Sequence, residues 1–157
     1  MTTSAAERSF LLQRVQPALS GLMDGSLRPR QSFQSLRNLM SLFGGERASP
    51  AGSPLVYRLA GGSPALKQHA FRTAEGGLLL ILYRDVDSFD LWTRRELQVS
   101  PERVQLTLET PAETVEMFDP GSSGNPFRTI RRANALTVPV TDAVVAVKVS
   151  GGLPTAV

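Results

Sequence analysis

From Leu55 to Val149 the chain never runs more than eleven residues without a Gly, Pro, Asp or Asn, and this punctuation limits its fold more than any other feature. Leu55 to Leu59, Leu66 to Arg72, Leu78 to Arg84, Val104 to Leu108, Thr114 to Phe118, Ala135 to Val140 and Val144 to Val149 are short runs. They alternate in polarity or are rich in β-branched residues, and Gly, Pro, Asp or Asn separates them. Strands this short bury their apolar sides only by pairing and stacking, so the pattern predicts an antiparallel β-sandwich of about eight strands. Alternation is clearest in Val104, Leu106, Leu108 and in Val145, Val147, Val149. Those sets are predicted to form the core, with their neighbours facing water.

Upstream the period changes. Phe33, Leu36, Leu39, Met40 and Phe43 recur at helical spacing and mark one face of an α-helix. Pro29 suits its first turn, where a missing N–H costs nothing, and Gly44-Gly45 permits a left-handed cap at its end. A second helix is predicted over Glu7 to Leu19, with Phe10, Leu11 and Val15 inward. Ala48 to Pro54, Ala-Ser-Pro-Ala-Gly-Ser-Pro, suits neither helix nor sheet and reads as a linker. The predicted organisation is therefore a helical segment over 1–47, a linker over 48–54, a mainly β sandwich over 55–150 and a disordered tail over 151–157.

Composition narrows the function classes. Of 157 residues, 41% are apolar and 20% charged, the balance of a globular chain with enough length for one core. No apolar run reaches the roughly 18 residues of a spanning helix, so no membrane partner is expected. The first residues lack a basic stretch leading into an apolar one, so no secretory signal is read and a cytoplasmic location is expected for the chain as given. The absence of cysteine excludes disulfides, a thiolate nucleophile and cysteine metal ligands. Net charge is only +3, and the arginines are spread along the chain without a reading module, so no nucleic-acid partner is expected.

Individual chemistry-bearing residues have ordinary readings. His69 is the sole histidine, sits in a strand-like run and has no G-x-S-x-G elbow to serve. Asp85, Asp87 and Asp90 follow a strand and could offer oxygens to calcium. They lack the EF-hand spacing and read as a solvated acidic turn pairing with Arg84, Arg94 or Arg95. Gly121 to Asn125 is a hairpin loop with no phosphate-binding helix behind it. Arg94-Arg95 and Arg131-Arg132 read as solvated turns. Tyr83, Phe89 and Trp92 have two readings: core packing, or stacking on a sugar ring, for which Tyr83 and Trp92 are the candidates carried forward. No catalytic, cofactor-binding or metal site is expected.

Several phrases, in order, resemble the C-terminal region of bacterial (β/α)8-barrel glycoside hydrolases of the xylosidase-like kind. Gly21-Leu22-Met23-Asp24-Gly25-Ser26-Leu27-Arg28-Pro29 through Leu36-Arg37-Asn38-Leu39 is similar to the phrase that leads into that family's last barrel helix. Leu82-Tyr83-Arg84-Asp85-Val86 resembles a strand ending in Leu-Trp, with tyrosine for tryptophan. Val115-Glu116-Met117-Phe118-Asp119-Pro120-Gly121 resembles V-x-V-Y-D-P-x-x-G, and Leu136 to Val149 is similar to the closing strand pair. The resemblance implies the accessory sandwich and one barrel helix. The two carboxylates that such enzymes need lie on barrel strands before this region, so it implies no catalysis by this chain.

A barrel helix without its barrel leaves an apolar stripe to be covered, and burying each such side chain is worth roughly 1.5–3 kcal/mol. Phe33, Leu36, Met40 and Phe43 are accordingly the candidate partner-binding residues. Their cover would be the sandwich, the Glu7 to Leu19 helix, a second copy of the chain or a barrel-like protein. The expected function is that of a non-catalytic accessory domain in protein interaction or structural support. The alternatives are a carbohydrate-binding module using Tyr83 and Trp92, and a subunit or fragment of a split glycoside hydrolase.

Overall fold

The computed structural model describes residues 22–44, 49–50, 57–73 and 77–151. They form one helix, α1 (Gln31–Ser41), and strands β1 (Ser49–Pro50), β2 (Tyr57–Ala60), β3 (Leu66–Arg72), β4 (Leu78–Arg84), β5 (Phe89–Asp90), β6 (Arg95–Glu96), β7 (Glu102–Phe118), β8 (Pro126–Val140) and β9 (Val145–Ser150). The fold is mainly β and every strand pairing is antiparallel. One sheet has the order β1-β3-β4-β9-β7-β2, with β8 also on β7, and β5 and β6 form a separate hairpin. The Glu7 to Leu19 prediction, most of the linker and nearly all of the tail lie outside the described residues. Within the predicted linker, Ser49 and Pro50 pair with Arg72 and Phe71 on β3, a position at the sheet edge where proline's missing donor is tolerated.

Two layers arise from one sheet because β7 and β8 bend together. Thr107 pairs with Ala135 and Ala112 with Ala133, so residues 108–111 of β7 stand against Asn134 alone. Pro111 falls in this irregularity, where a strand can do without an N–H, and Arg132 on β8 adopts φ 53°. Before the bend β7 pairs with β2; after it, with β9. The two runs read from sequence as separate strands, Val104 to Leu108 and Thr114 to Phe118, are thus one bent strand. β8 likewise extends upstream of Ala135 to Pro126, a stretch whose charged residues hid it from a pattern search.

The core lies inside this fold-over. Leu78, Leu80 and Leu82 of β4 meet Val104, Leu106, Leu108, Val115 and Met117 of β7, with Leu136, Val138 and Val140 of β8 and Val145, Val147 and Val149 of β9. All are buried, among them the two sets that alternation marked, Val104, Leu106, Leu108 and Val145, Val147, Val149. β4 carries a continuous apolar run because both of its faces are covered. Leu79 and Ile81 point outward into a second cluster with Phe118, Ala146 and Leu42, against which Leu39, Phe43 and Phe71 pack.

This second cluster is where the helix docks. α1 sits on the outer sheet face through Leu39, Leu42 and Phe43, with the Phe43 and Phe71 rings edge-to-face at 5.1 Å. Asn38 Nδ2 donates to Pro120 O at 3.0 Å, fixing the helix to the β7–β8 turn. Of the predicted covers for the stripe, the sandwich itself takes these residues. Pro29 lies outside the helix, bridged to Met23, and Arg30 is the N-cap. The turn before it is held by Asp24 Oδ1, which accepts the Ser26 and Arg28 N–H groups at 2.8 and 2.9 Å. These bonds hold the Asp24 carboxyl below its ordinary pKa.

Gly77 enters β4 beside Thr73, whose Oγ1 accepts its N–H at 3.0 Å. A Cβ on Gly77 would lie 2.5 Å from the Val149 carbonyl oxygen. That neighbour is paired backbone and cannot rotate away. Gly77→Ala is therefore expected to cost about 1–3 kcal/mol, read as a lower urea midpoint at unchanged slope.

Candidate docking site

Between β4 and β7 the chain leaves the sandwich as the β5–β6 hairpin, and the base of this excursion is firmly tied. Arg84 Nη1 donates to Ser100 O at 3.0 Å, and Arg84 Nε lies 3.1 Å from Glu102 Oε2. That approach is ionic without hydrogen-bond alignment, since Nε is buried with no hydrogen-bond partner. Ser63 Oγ donates to the same Glu102 oxygen at 3.1 Å, and the Asp85 N–H donates to Ala65 O at 2.9 Å. Both ends of the segment are thereby joined to the β2–β3 turn.

The hairpin follows from its sequence. Phe89 pairs with Glu96 and Asp90 with Arg95. The Asp90 carboxylate accepts from the Trp92 N–H at 2.8 Å, the Thr93 N–H at 3.2 Å and the Thr93 hydroxyl at 2.7 Å. An aspartate that binds the backbone two residues on is a local turn former, and here it sets the loop 91–94. Arg94 closes the loop at φ 53°. With two paired positions and a tight turn, the hairpin has no interior in which to hide its apolar side chains. Trp92 is 97% exposed, Leu91 81%, Phe89 47% and Leu97 44%. Together with Asp87 and Asp90 they line a shallow hollow of about 320 Å³.

The Thr93 hydroxyl first, then the Trp92 and Thr93 N–H groups, hold the Asp90 pKa below its ordinary value. A depressed carboxyl contributes order above its unfolded pKa and loses it as pH falls through the folded one. Acidification below the ordinary carboxylate range is thus expected to loosen the hairpin tip. Fluorescence anisotropy at Trp92, the only tryptophan, should drop there before the sheet signal in circular dichroism changes.

The structure separates the residues that sequence reading grouped. Core packing is wrong for Trp92, which stands almost fully in solvent, and for Phe89, which is half exposed. Tyr83 is half-buried on β4, its ring nearly parallel to His69 at 6.1 Å between centroids. It takes no part in the hollow beside Trp92. Of the helix set, Phe43 is packed on Phe71 and Phe33 is half-buried, whereas Leu36 and Met40 are 43% and 58% exposed. Sequence reading missed Leu91 and Leu97. The only signal for them was a pair of leucines inside an otherwise charged turn.

The aspartates also disperse. Asp90 serves its own turn, and Asp85 faces Lys67 Nζ at 3.9 Å instead of an arginine. Among the described residues no group of three or more His, Asp or Glu is placed to hold a metal. Gly121 to Asn125 forms the β7–β8 turn, capped by Asp119, whose carboxylate accepts the Gly121 N–H and the Ser122 hydroxyl. No family model matches this chain, and no curated protein matches it in sequence.

Proposed function

We propose that this chain is a non-catalytic β-sandwich that works by docking to a protein partner, in the manner of the accessory sandwiches of the barrel glycoside hydrolases whose C-terminal phrases it resembles. The observation that carries the reading is the projecting tip formed by Leu91 and Trp92, 81% and 97% exposed on a hairpin anchored at its base. An almost fully exposed indole next to a largely exposed leucine favours a site where both become buried, and tryptophan dominates the energetics of such contacts. Leu36 and Met40 on α1 are further exposed apolar side chains.

The carbohydrate reading has one observation in its favour, the hollow where Asp87 and Asp90 border the Trp92 ring. Sugar platforms set an aromatic face against polar edges, whereas the neighbours of Trp92 at this tip include Phe89, Leu91 and Leu97, which suits a protein surface better. Titration with xylo- and cello-oligosaccharides, followed by Trp92 emission, separates the two. Docking to protein predicts an unchanged spectrum with the sugars. It also predicts a loss of partner affinity of about thirtyfold or more on Trp92→Ala, with folding intact. A saturable spectral response to an oligosaccharide would overturn the reading.

A further inference from the structure

A second surface, on the opposite kind of element, goes beyond that reading. β8 pairs with β7 along one side and with no other strand among the described residues, so its outer side is an open sheet edge. Edges of this kind invite another strand, and proteins blunt them with proline, bulges and charge. Pro126 and Pro139 stand near the two ends of β8, and the irregularity at Arg132 interrupts its middle. Between them, Arg128 to Arg131 pairs regularly with β7, residue against residue from Met117 to Thr114. This regular, proline-free stretch, bounded by the register shift at Phe127 and by Arg132, is the part of the edge able to accept a strand.

Its charge selects the occupant. Arg128, Arg131 and Arg132 are all exposed, and none joins the ion pairs seen among the described residues, such as Lys67 with Asp85 and Arg84 with Glu102. The nearest acid in register, Glu116, stands opposite Thr129 on one side and Lys148 on the other. A second copy of β8 laid along this edge would bring two sets of arginines together, which disfavours self-pairing. An acidic strand would be drawn in.

Beside the stretch lies an apolar trough of about 380 Å³, with Phe127 and Pro139 of β8, Pro101 and Val144 among its walls. Phe127 is 53% exposed and belongs to both the edge and the trough. The trough has the size of a small binding pocket, meets the edge at Phe127, and is also lined by Asp119, Ser122 and Asn125 of the β7–β8 turn.

We propose that the Arg128 to Arg131 edge of β8 receives an extended acidic peptide by strand addition, with one large apolar side chain seated in the trough past Phe127, which the register shift between Met117 and Phe118 leaves without a β7 partner. Main-chain bonds would supply affinity, and the trough and arginines the choice of sequence.

The test uses the full chain, isotope-labelled for amide NMR, and a synthetic peptide of alternating glutamate and valine with one central phenylalanine. Saturable shifts confined to residues 127–131 and 144–145 are expected. Affinity should fall about tenfold for Arg128→Glu or Arg131→Glu, both exposed enough to leave folding intact. The same peptide with lysine for glutamate should not bind, and Trp92→Ala should change nothing, which separates this edge from the hairpin tip. Shifts elsewhere, equal binding of the lysine peptide, or displacement by oligodeoxythymidine with tighter binding would overturn the proposal. The last result would assign the arginines to nucleic acid.

Discussion

Leu80→Ala is expected to destabilise the chain by about 2–5 kcal/mol, measured by urea or thermal unfolding. Leu80 is fully buried on β4, between β3 and β9, and faces the β7 and β8 residues of the opposite layer. Its neighbours are anchored by two flanking strand ladders, so they cannot collapse into the space left behind, and the cost should fall toward the upper end. Domains of this size have about 5–15 kcal/mol of stability in total, so the variant should melt far earlier or fail to accumulate. The control is Leu91→Ala, the same chemical deletion at an 81% exposed position. It should move stability by no more than about 0.5 kcal/mol. A large effect at Leu91 or a small one at Leu80 would contradict the assignment of inside and outside.

Leu42→Ala should cost about 2–3 kcal/mol, through a different route. Leu42 is buried just past the C-terminal end of α1, in the cluster it shares with Leu79, Ile81, Phe118 and Ala146. An 11-residue helix is too short to persist in water without tertiary support. Weakening this contact is therefore expected to abolish hydrogen-exchange protection of the α1 amides, while those of β4, β7 and β9 remain slow. Uniform loss of protection would mean that the helix and both layers form one cooperative unit. Unchanged protection in α1 would mean that Asn38 and Phe43 hold the helix without Leu42.

The inner faces of β7 and β9 were legible from sequence because their residues obey the simple rule of one apolar side chain in two. β4 broke that rule in an informative way, since its unbroken apolar run follows from having α1 on one side and the opposite layer on the other. The bend was not legible. Pro111 reads as a break between strands, and only the ladder to β8 shows the chain continuing through it as a bulge.

The candidate site was visible only in part. Trp92 was identified, but with Tyr83 as companion and core packing as the ordinary alternative. What decides its exposure is the Asp90 turn and the brevity of β5 and β6, which leave nothing to fold over it. The helix stripe is divided by the fold. Phe33, Leu36, Met40 and Phe43 share a face by period, yet the helix approaches the sheet with its C-terminal end. Leu42, outside that set, makes the buried contact while Leu36 and Met40 remain in solvent.

These placements give the molecule a division of labour. The fold-over of β7 and β8 supplies stability, and the Arg84, Glu102 and Ser63 cluster fixes the root of the hairpin. The hairpin then holds an apolar tip away from the body. For the proposed docking role a tied root would matter, because a tip that is already ordered loses less conformational freedom on binding.

The most direct measurement places a photoreactive benzophenone side chain at position 92 in the intact chain and irradiates cells that make it. The same group at Leu27, 79% exposed and also apolar, serves as the control. The docking account predicts a discrete protein adduct from position 92 that is missing from position 27 and lost when Leu91 is replaced by serine. Adducts to polysaccharide alone, or equal yields from both positions, would contradict it.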